Sequence, residues 1–409
     1  MGYTFNIPIP MPHTNLSQFS EQDIIIVGSG PAGISTALHL AIMAPELIPR
    51  TLILEKARHP RHKVCGGGLL PDAERLLAEL GLDVTEIPHV DVDWAHFNFA
   101  GRGMRMRAEK NGLYAFRTIR RHEFDAWLAS RAREKGFRIL EDTAVRSIAV
   151  SESGVLVTTD RGDFSAEVVV GADGSNSLVR RAIIPREELH VARLLEVVTE
   201  PSAENTFSNP DNSSFDFSVL MQGIQGYVWD FPALEQGKPV RVRGIYDANI
   251  LAVKNRLPLR AGLEADLVRY GINLSEYDLE GHPLRWFDAR QAFAALRLLL
   301  VGDAAGTDAL FGEGISFALG YGRIAARAIQ EAFSSRDFSF RDYKRSLLQT
   351  AMGRALRRRT WFAKFFYRLR FAPFQVFLWR KMGWFIAWAM RTFFIGWARR
   401  QEHSTGKKG

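Results

Sequence analysis

The stretch Asp23-Ile-Ile-Ile-Val-Gly28-Ser-Gly30-Pro-Ala32-Gly33 decides the architecture of this chain. Its apolar run stops abruptly at Gly28, the pattern of a parallel strand buried on both faces. A helix is predicted from Pro31 to about Met43, and a second strand from Thr51 to Glu55, which together make a β-α-β unit. The glycines in between follow the spacing G-x-G-x-x-G. That spacing permits a tight turn and close approach of backbone to a pyrophosphate, which would sit on the first helical amides. Glu55 stands 22 residues after Gly33, at the end of the second strand. A carboxylate there can accept hydrogen bonds from an adenosine ribose. The motif alone does not separate FAD from NAD.

Working outward, two further buried strands are predicted at Val168–Val170 and Leu298–Val301. The first runs into Gly171-Ala-Asp173-Gly174 and the second into Gly302-Asp303-Ala-Ala-Gly306. Between them, over 186–284, short alternating segments such as Phe215-Asp-Phe-Ser-Val219 and Val240-Arg-Val-Arg-Gly-Ile245 predict a mostly antiparallel sheet. After Gly312 a helix is predicted to about Phe333. The fold class is α/β (α+β overall): a Rossmann-like nucleotide-binding domain with an inserted antiparallel substrate domain and a helical C-terminal region. The expected boundaries are a leader at 1–20; a discontinuous FAD-binding domain at 21–90, 118–185 and 285–335; a substrate domain at 91–117 and 186–284; and a basic, aromatic tail at 336–409.

The three motifs in this order resemble the para-hydroxybenzoate hydroxylase-like flavoprotein superfamily, and finer features resemble its geranylgeranyl reductase family. Lys63-Val-Cys65-Gly66-Gly67-Gly68 is similar to that family's KxCGGG/S loop. Arg121-His-Glu-Phe124-Asp125-Ala-Trp-Leu128 is similar to its RxxFDxxL helix. Gly302-Asp-Ala-Ala-Gly306 followed by Gly312-Glu313-Gly314-Ile315 is similar to its GDAAG…GEGI segment, and Tyr227-Val-Trp229-Asp-Phe231-Pro232 to its YxWxFP motif. The resemblance spans about residues 23–335. It implies FAD as cofactor, with Asp303 on the ribityl chain and Arg121 in contact with the flavin. It further implies cofactor contacts at Ala32, Val145, Asp173 and Gly302, and along Cys65, Gly66 and Gly68. Tyr227, Trp229 and Pro232 would line a lipid cavity. Gly314 and Ile315 open a helix whose N-terminal amides would stabilise the anion of a reduced flavin. Cys65, the sole thiol, is the candidate catalytic residue; the bland reading of it is a small loop residue without chemistry. The chain departs from the family at Ala309, where proline is usual, and after Pro232, where Ala-Leu-Glu-Gln-Gly replaces a Gly-rich continuation.

Gly320-Tyr-Gly322-Arg-Ile-Ala-Ala imitates a second fingerprint, but no strand precedes it and it falls inside a helical stretch. With no second dinucleotide site read from the sequence, the electron donor is expected to be NADPH bound transiently or a small redox protein.

The 409 residues carry a net charge of +8, distributed unevenly. Residues 351–409 contain 14 Lys/Arg and one acid, Glu402, leaving 39 basic and 44 acidic residues before them. The same tail holds five of the nine Trp and nine of the 28 Phe. Cations interleaved with large aromatics suit a helix lying in an anionic lipid interface. The rival readings are helices packed on the body with a solvated basic face, or another partner. Nucleic acid is not expected, since no recognised binding fold accompanies the basic residues. No run reaches the length of a membrane span, and the Pro-rich start lacks the pattern of a signal peptide. One cysteine allows neither an intramolecular disulfide nor a Cys-based metal site. The expectation is a cytoplasmic, peripheral membrane enzyme without metal.

Taken together, the resemblance implies an FAD-dependent reductase that saturates C=C bonds of an isoprenoid (geranylgeranyl-type) chain. One rival is an FAD monooxygenase acting on an aromatic or lipid, with a halogenase as its lesser version. The other is a non-catalytic prenyl-lipid carrier, against which the intact Gly28, Gly30, Gly33, Glu55 and Asp303 argue.

Overall fold

The computed structural model describes residues 20–109, 112–185, 191–201, 210–369 and 371–399. The expected leader therefore lies outside the described residues, apart from Ser20, which opens the first strand.

That strand, Ser20–Val27, is the centre of the main sheet. It pairs in parallel with Gly162–Gly171 on one side and Thr51–Leu54 on the other. Leu298–Leu300 and Arg138–Leu140 extend the parallel order outward. Ile24, Ile25 and Ile26 are all buried, as the unbroken apolar run requires when both faces of a sheet are covered. The helix Pro31–Met43 packs closely on the long helix Ile315–Ser335, and both share one core with this strand. The glycines of the apparent second fingerprint serve this packing. A Cβ on Gly322 would fall 2.3 Å from Ser35 Oγ, and one on Gly320 would fall 2.7 Å from both Met352 and Trp397. Those glycines let helices touch; no strand feeds them.

The second sheet orders Glu280–Arg285, Val191–Thr199, Lys238–Asp247, Gly226–Glu235, Ser213–Asp216, Ala95–Phe99 and Arg102–Met106. All its pairs are antiparallel except Ser213–Asp216 with Ala95–Phe99. One segment differs from expectation. The chain does not continue as a strand through Val219 but turns into a 3-10 helix at Phe217–Gln222. The cause is local: Asp216 accepts a hydrogen bond from the Ser218 amide at 2.8 Å, a side chain capping a turn that a strand would not allow.

The tail consists of the helices Ala351–Phe366, Ala372–Lys381 and Gly383–Ala389, then a π-helical turn at Met390–Phe394. Its inner side is part of the body. Trp397 stacks on Phe317 with ring centroids 5.2 Å apart. The buried Asp72 carboxylate accepts hydrogen bonds from the amides of Gly396 and Ala398 at 2.8 and 2.9 Å. No helix among the described residues is long and apolar enough to cross a membrane.

Candidate functional site

A cavity of 660 Å³ opens where the C-terminal end of the parallel sheet meets the inner face of the second sheet. The first motif forms one end of it. Gly28 has φ +104°, and a Cβ there would lie 2.4 Å from the carbonyl oxygen of Ala172; a Cβ on Gly33 would lie 2.0 Å from that of Gly28. Both glycines are therefore demanded by the fold. Gly30 is not, since a Cβ on it would make only an ordinary 3.5 Å contact with Arg61. Gly30 caps the helix Pro31–Met43 without a side-chain hydrogen bond, leaving helical amides available to an anion.

Glu55 follows the second strand and is nearly fully buried. Its carboxylate accepts from the Ser29 amide at 3.0 Å, the Ser29 hydroxyl at 2.7 Å and the Ala57 amide at 3.1 Å. Burial would raise its pKa, but the Arg61 guanidinium and the Ser29 bonds together hold it below the usual carboxylate range. Arg61 also reaches Asp125 at 3.1 Å, and Asp125 forms a bidentate pair with Arg121 at 2.8 and 2.9 Å. The expected flavin contact Arg121 is thus held rigidly at the cavity wall by the aspartate one turn along its own helix.

Asp173 lines the cavity and caps the short helix behind it, accepting from the Leu178 amide at 2.6 Å. Asp303 follows Gly302, whose φ of +58° and tight approach to Ala32 require glycine. The Asp303 carboxylate faces the cavity and accepts no protein hydrogen bond among the described residues. Gly314 caps the helix Ile315–Ser335 without a side-chain hydrogen bond, and both Gly314 and Ile315 line the cavity. An unpartnered carboxylate, two helix N-termini without a capping bond from the cap residue and a glycine with no packing role fit FAD. They would hold its ribityl hydroxyls, its pyrophosphate and its pyrimidine ring. Ala32 and Val145 also lie on the wall.

The loop Lys63–Gly68 enters from the side. The Cys65 amide donates to Glu196 at 3.3 Å, and the Cys65 sulfur accepts from the Gly67 amide at 3.4 Å. Gly67, with φ +74°, would clash with the Ile119 carbonyl if it carried a Cβ, and a Cβ on Gly66 would meet Trp229 at 3.0 Å and Phe231 at 3.2 Å. Two of the three glycines are thus explained by protein packing.

Tyr227, Trp229 and Phe231 alternate along Gly226–Glu235 and point into the cavity. Pro232 does not. It falls on the opposite face, where its carbonyl accepts from the Thr118 hydroxyl at 2.5 Å, and it is absent from the wall. Phe231 takes the place expected of it. The buried Trp229 indole N–H has no hydrogen-bond partner among the described residues, and the indole fits only because Gly244 on the next strand leaves 2.3 Å to a would-be Cβ.

Several partnerships escaped the sequence reading. Lys63 donates to His282, which arrives from the second sheet. Burial lowers the pKa of both, and the Lys63 ammonium lowers that of His282 further, keeping the imidazole neutral as acceptor. Burial pushes Glu196 up to about 7, against the pull of Arg120. Glu313 is likewise pushed to about 7 by burial, against Arg359 at 3.4 Å. Arg359 comes from the tail and also pairs with Asp308 at 2.9 Å. No spacing in the sequence points to these partners, since the two members of each pair come from different segments.

Fold and site define a flavoprotein oxidoreductase. Residues 21–218 match the family model of the FAD binding domain, and the chain is similar to FAD-dependent oxidoreductases. It is 28% identical over 353 residues to an uncharacterized protein of Methanosarcina barkeri, covering 84% of each chain. It is 26% identical over 330 residues to the menaquinone reductase of Mycolicibacterium smegmatis, covering 74% of this chain and 75% of that one. Among solved structures, a geranylgeranyl bacteriochlorophyll reductase-like protein from Thermoplasma acidophilum superposes with a TM-score of 0.73. That match has 22% identity and covers 94% of this chain and 99% of the other, a likeness of fold.

Proposed function

We propose that this protein reduces carbon–carbon double bonds of an isoprenoid chain carried by a lipid. The observation that carries the reading is the continuity of the flavin end of the cavity with an apolar arm. That arm is walled by Phe97, Phe116, Phe215, Tyr227, Trp229 and Phe231, with carbonyl groups of its loops already bonded to protein hydroxyls. A hydrocarbon chain buries well against such a wall, at about 25 cal/mol per Å² of apolar surface removed from water, whereas a polar aromatic substrate would meet few donors. The similarity to a menaquinone reductase supports the same class, because a menaquinone bears a prenyl tail.

When bound and reduced, FAD supplies a hydride to one alkene carbon. The residues of this chain then have three tasks. The aromatic wall holds the alkene flat and excludes water. Gly314, Ile315 and the helix behind them present amide dipoles to the pyrimidine end. A proton must reach the second carbon, and Cys65 and Glu313 are among the cavity-lining groups able to carry one. The electron donor in this reading is NADPH or a small redox protein.

The test is anaerobic turnover. The purified holoprotein is reduced with dithionite and mixed with a geranylgeranyl lipid, while flavin reoxidation and product mass are followed. Reoxidation with gains of two hydrogens supports the reductase. A flavin that stays reduced until oxygen enters, then yields a product heavier by one oxygen, replaces this reading with a monooxygenase.

A further inference from the structure

The helix Gly383–Ala389 reads Gly-Trp-Phe-Ile-Ala-Trp-Ala, and none of its residues is buried. Trp384 is 71% exposed and Trp388 49%. A helix on a water-facing surface normally turns its apolar stripe inward; this one leaves two indoles and Phe385 outside. Directly afterwards the chain dips into the protein. Met390, Phe394 and Ile395 line the cavity, and Phe394 is buried, while Phe393 between them is again exposed. A single stretch of chain therefore faces outward with aromatics and walls the apolar arm of the site with its inner side. Along the chain on either side the charge has one sign: Arg380 and Lys381 precede the helix, Arg358 lies over the Phe393 ring at 5.8 Å, and no Asp or Glu occurs from Ala351 to Gln401. Exposed apolar patches of this kind mark interaction surfaces, and the surrounding cations complement phosphate headgroups.

We infer that segment 383–395 docks on an anionic phospholipid bilayer and forms the doorway through which the lipid chain passes from the bilayer into the cavity. The doorway rests on the lipid-substrate reading above; the docking does not. Trp384, Phe385 and Trp388 sink to the headgroup boundary, where amphipathic rings are favoured. Arg380 and Lys381 meet phosphates. The chain of a membrane lipid then has a path along the inner side of the same segment, past Met390 and Phe394, without crossing water.

The experiment compares the full-length holoprotein with Trp384→Ser/Trp388→Ser, both checked for flavin occupancy. Neither indole is buried, so the variant keeps its core. In sedimentation with phosphatidylglycerol vesicles the parent protein is expected to pellet, to pellet less with phosphatidylcholine alone, and to be released by salt. The double variant is expected to stay in the supernatant. Equal pelleting of variant and parent, or no pelleting of either, overturns docking. If instead light scattering shows a parent dimer that the variant breaks, with no vesicle binding, the face joins two copies of this chain. For the doorway, the ratio of turnover on vesicle-borne to detergent-dispersed geranylgeraniol should fall about tenfold in the variant, the size of an interface signal worth roughly one decade in affinity. An unchanged ratio sinks the doorway. Because pelleting needs no turnover, failure of the reductase reading would leave the docking result intact.

Discussion

Asp303 is a carboxylate on the cavity wall with no protein donor among the described residues. A buried or half-buried acceptor in that condition is costly unless something else donates to it, and the ribityl hydroxyls of FAD would. Asp303→Ala is expected to weaken FAD binding by about 10- to 100-fold, the 1.5–3 kcal/mol of a hydrogen bond to a charged group. The ratio of flavin to protein absorbance after gel filtration measures it, and full occupancy would remove Asp303 from the site. Glu196 is the second residue whose state can be tested. Its pKa is raised to about 7 by burial while its unfolded value is near 4.5, so the folded protein prefers it protonated. Its contribution to stability is complete below pH 4.5 and is lost as pH rises through 7, amounting to up to about 3 kcal/mol by linkage. Glu196→Gln should therefore flatten the fall in Tm between pH 5 and about pH 8. Parallel Tm profiles for variant and parent would contradict the raised pKa.

At the scale of elements, the loop between Thr307 and Gly314 is held from three directions. The hydroxyls of Tyr246, Tyr367 and Tyr227 donate to the consecutive carbonyls of Ala309, Leu310 and Phe311 at 3.1, 2.6 and 2.5 Å. Two of these tyrosines belong to the second sheet and one to the tail. Arg359 adds the buried ion pair to Asp308. Three bonded carbonyls in succession immobilise the loop around Ala309. Arg359→Met leaves Asp308 as an uncompensated buried charge and should cost about 3–5 kcal/mol in urea denaturation. Arg359→Met with Asp308→Asn should recover much of that loss. A double variant no more stable than the single one would show that the pair is not what Arg359 contributes.

For the molecule as a whole, the tail is not an appendage. Met352, Leu356 and Trp397 belong to the main core, and Ala363, Phe366, Tyr367, Trp379 and Phe394 to the core of the second sheet. Ending the chain before Ala351 would expose both cores, so the truncated protein is expected to aggregate and lose its flavin. A soluble, yellow truncation would show that the tail docks without supporting the body. Substitutions on the outer side of the tail, unlike truncation, leave these cores intact, which is why they separate lipid contact from folding.

Much of the nucleotide end was legible because its demands are local. A turn with φ +104° and a Cβ-free approach of 2.0 Å can be met only by glycine at fixed offsets, and a strand buried on both faces must be apolar without interruption. The β-α-β unit and its Gly28 and Gly33 turn follow from consecutive residues for that reason, whereas Glu55, Asp173 and Asp303 are read from their positions just after apolar strands. The period of two around Tyr227 announced a strand, but the motif could not say on which side Pro232 falls, because facing is decided by what the sheet packs against. Pairs such as Lys63 with His282, Cys65 with Glu196 and Asp308 with Arg359 unite segments up to 219 residues apart. Their meeting depends on the close packing of two sheets and a tail. No local spacing encodes it, and only the tertiary structure decides which buried groups meet.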